Sequence, residues 1–99
     1  IPVPDNVMEY AVKLATRTRP GVAGAPQVIT DHVSWGAGPR ASQFLIIGAK
    51  CHALVRGRFS PDIEDVQAVA EPILRHRLVR NYKAEAEGVT AERIIRELL

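Results

Sequence analysis

The pattern of apolar and polar residues predicts four main helices, of which the dominant one lies in the middle of the chain. Residues 35–57 comprise a glycine-rich entry loop, a proline start signal and the longest uninterrupted helical pattern, in which apolar side chains form two stripes. One stripe comprises Phe44, Ile47, Cys51 and Leu54, and the other comprises Ala41, Leu45, Gly48 and Val55 with His52 beside them. A helix that is apolar over so much of its circumference is usually buried, so we expect other helices to surround it. Gly48 should allow one of them to cross closely.

Start signals place three further helices around the central one. The first is expected from about residue 6 to residue 16, with Asp5 as its cap. Ser60 should cap the next helix with Pro61 in its first position, and Thr90 should cap the last. Apolar residues recur at helical spacing in each of them: Val7, Ala11, Leu14, Ile63, Val66, Ala70, Ile73, Leu74, Ile94, Ile95 and Leu98.

The segments between these helices carry weaker patterns. Residues 27–35 are expected to form one or two helical turns, and residues 79–88 a polar loop. Pro72 must kink the third helix or begin another, because proline donates no backbone hydrogen bond and clashes with the preceding turn. No convincing pair of strands is found in the sequence. The predicted fold is all-α, a small bundle of four main helices with one or two short extra turns.

The start of the central helix carries a charge in an unfavourable place. Pro39 suits the first helical position, which puts Arg40 beside the positive end of the helix dipole. A cation there is disfavoured by ~0.3–1 kcal/mol unless an anion lies near. Free backbone N–H groups at a helix start, with Gly36 and Gly38 before them, are typical of a phosphate-binding site. Arg40 is therefore a candidate contact for an anionic ligand.

Length and composition narrow the class of protein. The 99 residues indicate a single domain that spans residues 1–99. A formal net charge of +2 is too small to argue for nucleic acid by itself. The single cysteine excludes an internal disulfide and is typical of a reducing compartment such as the cytoplasm, and no apolar run approaches the ~20 residues that span a membrane. The chain opens without an initiator methionine, so we expect a segment of a longer protein.

Complete catalytic motifs are absent from the sequence. It contains no phosphate-binding G-x-x-x-x-G-K-[ST], no Cys-x-x-Cys pair and no His-Glu-x-x-His, and we predict no metal site. Residues 36–41 match the dinucleotide-binding pattern G-x-G-x-x-[GA], but that fingerprint needs a strand on either side and the flanking residues are poor strand formers. Cys51 is expected to pack as a small core residue, and Trp35 to anchor the core.

A run of cations follows the third predicted helix, at Arg75, Arg77, Arg80 and Lys83. It is either a solvated helix end that complements the helix dipole or a contact for DNA or RNA. Apart from His76, Tyr82 is the one aromatic residue among these cations, whereas single-strand binding uses several aromatic side chains on which successive bases stack. A small helical nucleic-acid-binding module is therefore the alternative function, and a helical module that only binds proteins is a third.

Four ordered segments resemble the C-terminal lid of MoxR-type AAA+ ATPases. They are residues 34–43, which contain Gly38-Pro39-Arg40, and residues 48–50, 72–78 and 81–90. A lone Gly-Pro-Arg would be weak, but the ordered set with its spacings is specific and covers nearly the whole chain. The matching segments include Arg40, the candidate contact for an anionic ligand.

The resemblance implies a role for each matching residue. The arginine of Gly-Pro-Arg is the sensor 2 residue of that family, which puts Arg40 at the γ-phosphate of ATP, with Gly38 and Pro39 beside the nucleotide. Arg77, and to a lesser degree Arg75, would face the nucleotide or a neighbouring subunit. ATP and Mg²⁺ would be held mainly by a preceding nucleotide-binding domain, so this segment alone should hydrolyse nothing. The whole protein would form a ring, expected to be a hexamer, and act as a chaperone-like remodeller that helps other proteins mature.

Overall fold

The structure, a computed structural model, describes residues 2–99, which form six helices and a two-stranded ribbon. The helices are α1 (Asp5–Arg17), α2 (Gln27–His32), α3 (Ala41–Val55), α4 (Ile63–Leu74), α5 (Tyr82–Glu87) and α6 (Ala91–Leu98). The strands are β1 (Val33–Trp35) and β2 (Val79–Arg80). Four of the helices are the main ones predicted, so the all-α bundle is confirmed. None of the helices within residues 2–99 is long and apolar enough to cross a bilayer.

The core lies where α3 packs against α4 and α1, with α6 closing one side. A Cβ atom built on Gly48 would lie 2.8 Å from Cδ1 of Ile73 and 3.2 Å from Cγ2 of Val69, so α3 and α4 pack closely at this glycine. The close crossing predicted at Gly48 is therefore confirmed. The buried side chains are mostly aliphatic, as expected: Val7, Ala11, Leu14, Leu45, Ala49, Val66, Ala70, Leu74, Ile94, Ile95 and Leu98.

The first apolar stripe of α3 is not buried, so the prediction of a helix surrounded on every side is wrong. Phe44, Ile47, Cys51 and Leu54 are all exposed, and Ile47 keeps 56% of its surface accessible. Val55, from the second stripe, is exposed as well. The reason is geometric: α1 and α4 contact α3 from one side, and no other element within residues 2–99 covers the opposite side.

The ribbon and α5 were missed because they depend on contacts between distant parts of the chain. Strands β1 and β2 pair antiparallel, Val33 with Arg80 and Trp35 with Val79, with an irregularity between. Asn81 follows β2 and binds across to α2, where its Nδ2 donates to the Asp31 carbonyl at 2.7 Å. Its Oδ1 accepts from the Ala84 N–H at 2.9 Å and so caps α5. The predicted loop over residues 79–88 is therefore wrong.

Several predicted helix ends move by one or two residues. Asp5 is the first residue of α1 and makes no capping bond, since Pro4 occupies the cap position. The helix expected to start at Pro61 begins at Ile63, where Asp62 and Asp65 form a capping box. Pro72 starts no new helix: α4 runs through it and ends two residues later, at Leu74. The predicted cap at Thr90 is confirmed, because its hydroxyl accepts from the Arg93 N–H at 3.1 Å.

Candidate functional site at the start of α3

Three exposed residues form an arch that leads into α3. Gly38, Pro39 and Arg40 are exposed, whereas the residues on either side, Ala37 and Ala41, are buried. The arch is a turn closed by the Ala41 N–H donating to the Gly38 carbonyl at 3.1 Å. Arg40 occupies the cap position, one residue before the helix, and Pro39 therefore precedes the first helical position that we predicted for it. The arch presents three residues to solvent between two buried attachments.

The electrostatics of the arch favour an anion from outside the described chain. No side chain caps α3, and its first turn contains no acidic residue. The Phe44 N–H donates to the Arg40 carbonyl at 3.1 Å, but the backbone N–H groups of Ser42 and Gln43 have no acceptor within residues 2–99. The Arg40 guanidinium likewise makes no hydrogen bond or ion pair with these residues, and it is exposed. Free N–H groups, the positive end of a helix and an available cation are what phosphate binds.

A second arginine lies one helical turn from the arch. The guanidinium of Arg77 lies 4.5 Å from the ring centroid of Phe44, which follows Arg40 by four residues on α3. Its Nη1 also donates to the Ile73 carbonyl at 2.9 Å, in the last turn of α4. These two contacts hold Arg77 between the first turn of α3 and the end of α4. Of the predicted site residues, Gly38, Pro39 and Arg40 are thus adjacent in the arch, and Arg77 contacts the turn of α3 that follows it.

The end of α1 binds Ala37, the residue that precedes the arch, through two residues that the sequence reasoning missed. The buried hydroxyl of Thr18 accepts from the Ala37 N–H at 2.9 Å and donates to the Ala15 carbonyl at 2.6 Å. Arg19 Nε donates to the Ala37 carbonyl at 2.9 Å. A Cβ atom on Gly36 would lie 2.4 Å from the carbonyl oxygen of Thr18, so the two backbones touch there. Gly36 could have indicated a close backbone approach, but nothing in the sequence named its partner.

Comparison with known proteins identifies this arrangement. A family model described as the AAA lid domain matches residues 26–98, which is most of the chain. The chain belongs to the AAA lid domain family.

The lid is similar to several longer proteins. It is 37% identical over 93 residues to the chaperone MoxR1 of Mycobacterium tuberculosis, covering 94% of the lid and 25% of that protein. It is 32% identical over 95 residues to the uncharacterized protein YeaC of Bacillus subtilis, covering 96% of the lid and 27% of YeaC. The chain therefore spans about a quarter of the length of the relatives it matches.

A solved structure supports the same family. The lid superposes on a crystal structure of a candidate ATPase from Cytophaga hutchinsonii with a TM-score of 0.88 and 33% identity. The match covers 97% of the lid and 29% of that chain. The predicted family, the lid of a MoxR-type AAA+ ATPase, is therefore confirmed.

The opposite end of α3 holds a network that the lid uses for its own fold. Asp65 is fully buried and receives both terminal nitrogens of Arg58, at 2.7 Å and 2.6 Å. It also accepts from the Asp62 N–H at 2.7 Å, and His52 Nδ1 lies 2.6 Å from its Oδ1. Because Arg56 Nε can only donate to His52 Nε2, at 3.0 Å, the proton of this histidine sits on Nδ1 and is donated to Asp65. The cluster joins the end of α3 to the start of α4.

The charge state of this network follows from its hydrogen bonds. The bonds from Arg58, and then those from the Asp62 N–H and His52, hold the pKa of Asp65 well below its usual range, although burial alone would raise it. The same bond to Asp65 raises the pKa of the Arg58 guanidinium. Both groups are ionised at neutral pH and paired with each other.

Two single-residue predictions are wrong. Cys51 is exposed on α3 rather than packed in the core. Trp35 keeps 72% of its surface accessible on β1 rather than anchoring the core. Both are apolar residues on surfaces that no part of residues 2–99 covers, and apolar character alone does not say which neighbour a side chain has.

The cations of the predicted basic run lie in different surroundings. Arg77 binds Phe44 and the end of α4, whereas Arg80 Nη1 donates to the Val89 carbonyl at 2.9 Å. Arg75 and Arg80 line a cavity of about 450 Å³ at the start of α6, beside Glu92. The run is therefore divided between two places, and no observation favours the alternative of a nucleic-acid-binding module.

Proposed function

We propose that this lid contributes the sensor 2 arginine of a ring-forming AAA+ ATPase, and that Arg40 contacts the γ-phosphate of ATP. The observation that carries the proposal is the state of Arg40: it is exposed and unpaired within residues 2–99, beside free N–H groups at the start of α3. A guanidinium in this place stabilises negative charge that develops on a phosphate as it transfers to water. Gly38 and Pro39 would let the nucleotide approach the arch.

The residues of the arch fit part of an ATP–Mg²⁺ complex. Arg40 and the N–H groups of Ser42 and Gln43 suit phosphate oxygens. Residues 2–99 hold no cluster of three His, Cys, Asp or Glu side chains that could bind a metal ion. The Mg²⁺ ion and most of the nucleotide would therefore be bound by a nucleotide-binding domain in the rest of the protein, since the relatives extend well beyond this chain.

Arg77 is proposed as a second cation of the same site. Its stacking on Phe44, and its hydrogen bond to the Ile73 carbonyl, leave other guanidinium N–H groups without a partner within residues 2–99. Phe44, on which Arg77 stacks, lies in the first turn of α3, directly after the cap residue Arg40. Arg77 would contact the same nucleotide or the adjacent subunit of the ring.

The exposed apolar stripe of α3 is proposed to dock the nucleotide-binding domain of the same polypeptide. Two observations support this occupant. The stripe begins with Phe44, one turn from Arg40, so a domain that brings ATP to Arg40 also meets the stripe. The relatives contain about three quarters of their length outside the matched segment, which is enough for such a domain. Covering an exposed stripe of four apolar residues would also stabilise the closed arrangement.

The wider setting is proposed from the relatives and the composition. A relative described as a chaperone supports an assembly, expected to be a hexamer, that remodels and matures other proteins. Motion of the lid coupled to ATP turnover would drive this remodelling, and the motion would be transmitted between neighbouring subunits. The single cysteine, exposed on α3, fits a reducing compartment such as the cytoplasm.

The test is Arg40→Ala in the full-length ATPase that carries this lid. We expect ATP hydrolysis to fall by about 10²-fold or more, which is the usual loss when one donor to a developing charge is removed. ATP binding should persist. The matched control is Arg96→Ala, an exposed arginine on α6 whose Nε contacts only the Glu92 carbonyl, and it should hydrolyse ATP as wild type does. Wild-type turnover in Arg40→Ala would refute the proposal.

A further inference from the structure

Two adjacent residues at the end of α1 bind both backbone polar groups of Ala37, the residue that precedes the arch. Thr18 accepts the Ala37 N–H and Arg19 donates to the Ala37 carbonyl. The Thr18 side chain has no accessible surface, and its proton is committed to the Ala15 carbonyl. A methyl group on Gly36 would overlap the Thr18 backbone. The two segments therefore approach closely, with backbone against backbone.

Little freedom is left between this grip and Arg40. Only Gly38 and Pro39 separate Ala37 from Arg40, and the pyrrolidine ring restricts φ of Pro39. On the other side, Ala41 is buried as the first residue of α3. The position of the Arg40 backbone is therefore determined by two anchors, Ala37 and Ala41, of which the first is held by α1.

We infer that Thr18 and Arg19 are positioning residues for Arg40 and set the rate of ATP hydrolysis through it. The inference rests on the proposed function, because it assigns to these residues an effect on a phosphate contact made by Arg40. A catalytic group displaced by about 1 Å can cost up to 10²-fold in rate. Loosening Ala37 should therefore slow hydrolysis without removing any group that touches the nucleotide.

The experiment measures steady-state ATP hydrolysis by the full-length ATPase and four variants: Thr18→Val, Thr18→Ser, Arg40→Ala and the double variant Thr18→Val/Arg40→Ala. Valine keeps the shape of threonine but lacks the hydroxyl, so we expect kcat to fall about tenfold with KM nearly unchanged. Serine keeps the hydroxyl and should restore kcat. In the Arg40→Ala background, Thr18→Val should cause no further loss, because a positioning residue has nothing left to position.

Two controls separate positioning from a simple loss of stability. Ile94→Val trims a buried residue of α6 that makes no hydrogen bond to Ala37 or Arg40 through its side chain, and it should lower the melting temperature without lowering kcat. If Thr18→Val does not fold, Arg19→Ala removes the other half of the grip and takes its place in the same cycle. Equal losses from Thr18→Val with and without Arg40, or wild-type kcat in both grip variants, would overturn the inference alone. Wild-type kcat in Arg40→Ala would overturn the proposed function as well.

Discussion

The two ends of α3 use arginine in opposite ways. At the C-terminal end, Arg58 lies against the buried carboxylate of Asp65, and His52 completes the cluster. At the N-terminal end, Arg40 has no carboxylate beside it within residues 2–99 and lies where the helix dipole disfavours a cation. The first arginine is satisfied by the fold, and the second is not. An unsatisfied cation at a poor position costs stability and is a better indicator of function than a satisfied one.

The largest expected effect on stability is at the C-terminal end of α3, where Arg58 is paired with Asp65. Asp65→Ala should lower the free energy of unfolding of the 99-residue chain by about 3–5 kcal/mol, because it breaks a buried ion pair and removes half of the capping box. Urea denaturation measures the change. Glu64→Ala, an exposed acid in the same turn, should cost less than about 1 kcal/mol. Equal losses of stability in the two variants would show that the buried cluster around Asp65 contributes no more than an exposed acid in the same turn.

Acid should act at the same end and weaken the lid. The pKa of Asp65 is lower in the folded lid than in the unfolded chain, so the stability it supplies is complete above the unfolded value of about 3.9. That stability is lost as the pH falls from there through the folded pKa, because the unfolded chain binds the proton first. We expect the stability difference between wild type and Asp65→Asn, measured by urea denaturation from pH 7 to pH 2, to narrow below about pH 4. A constant difference would contradict the assignment.

The smallest effect on stability, of opposite sign, is expected at the N-terminal end of α3, where Arg40 is unpaired within residues 2–99. Arg40→Ala in the 99-residue chain should raise the free energy of unfolding by about 0.3–1 kcal/mol or leave it unchanged, because it removes a cation from the positive end of α3. The matched control is Arg56→Ala at the other end of the helix. It removes a favourable charge and a bond to His52, and should lower stability by about the same amount. The comparison fails if both variants destabilise the chain equally.

Local signals in the sequence predicted much of this. The helix patterns, the Thr90 cap and the close crossing at Gly48 depend on residues near one another in the chain or on side-chain size alone. The oddity of Arg40 was also visible, since it follows from the dipole of a single helix. These features could be predicted because the physics that produces them is local.

The remaining features depend on contacts between distant parts of the chain. Asn81 binds the Asp31 carbonyl across fifty residues, and this bond accompanies the ribbon and α5, which no local pattern indicated. Arg19 reaches the Ala37 carbonyl across eighteen residues. The stripe that begins at Phe44 was assigned to the core because apolar spacing reports only that something covers a face. We attribute that cover to a domain outside the chain.

The tight crossing at Gly48 has a mechanical consequence. Because the side chains of Ile73 and Val69 pack closely against Gly48, we expect α3 and α4 to move together as one rigid unit. The 15 residues of α3 extend over roughly 22 Å, so tilting this unit by about 10° at the arch would move the C-terminal end of α3 by about 4 Å. A small tilt beside a phosphate would in this way become a larger displacement at the other end of α3, where an adjoining molecule can contact it.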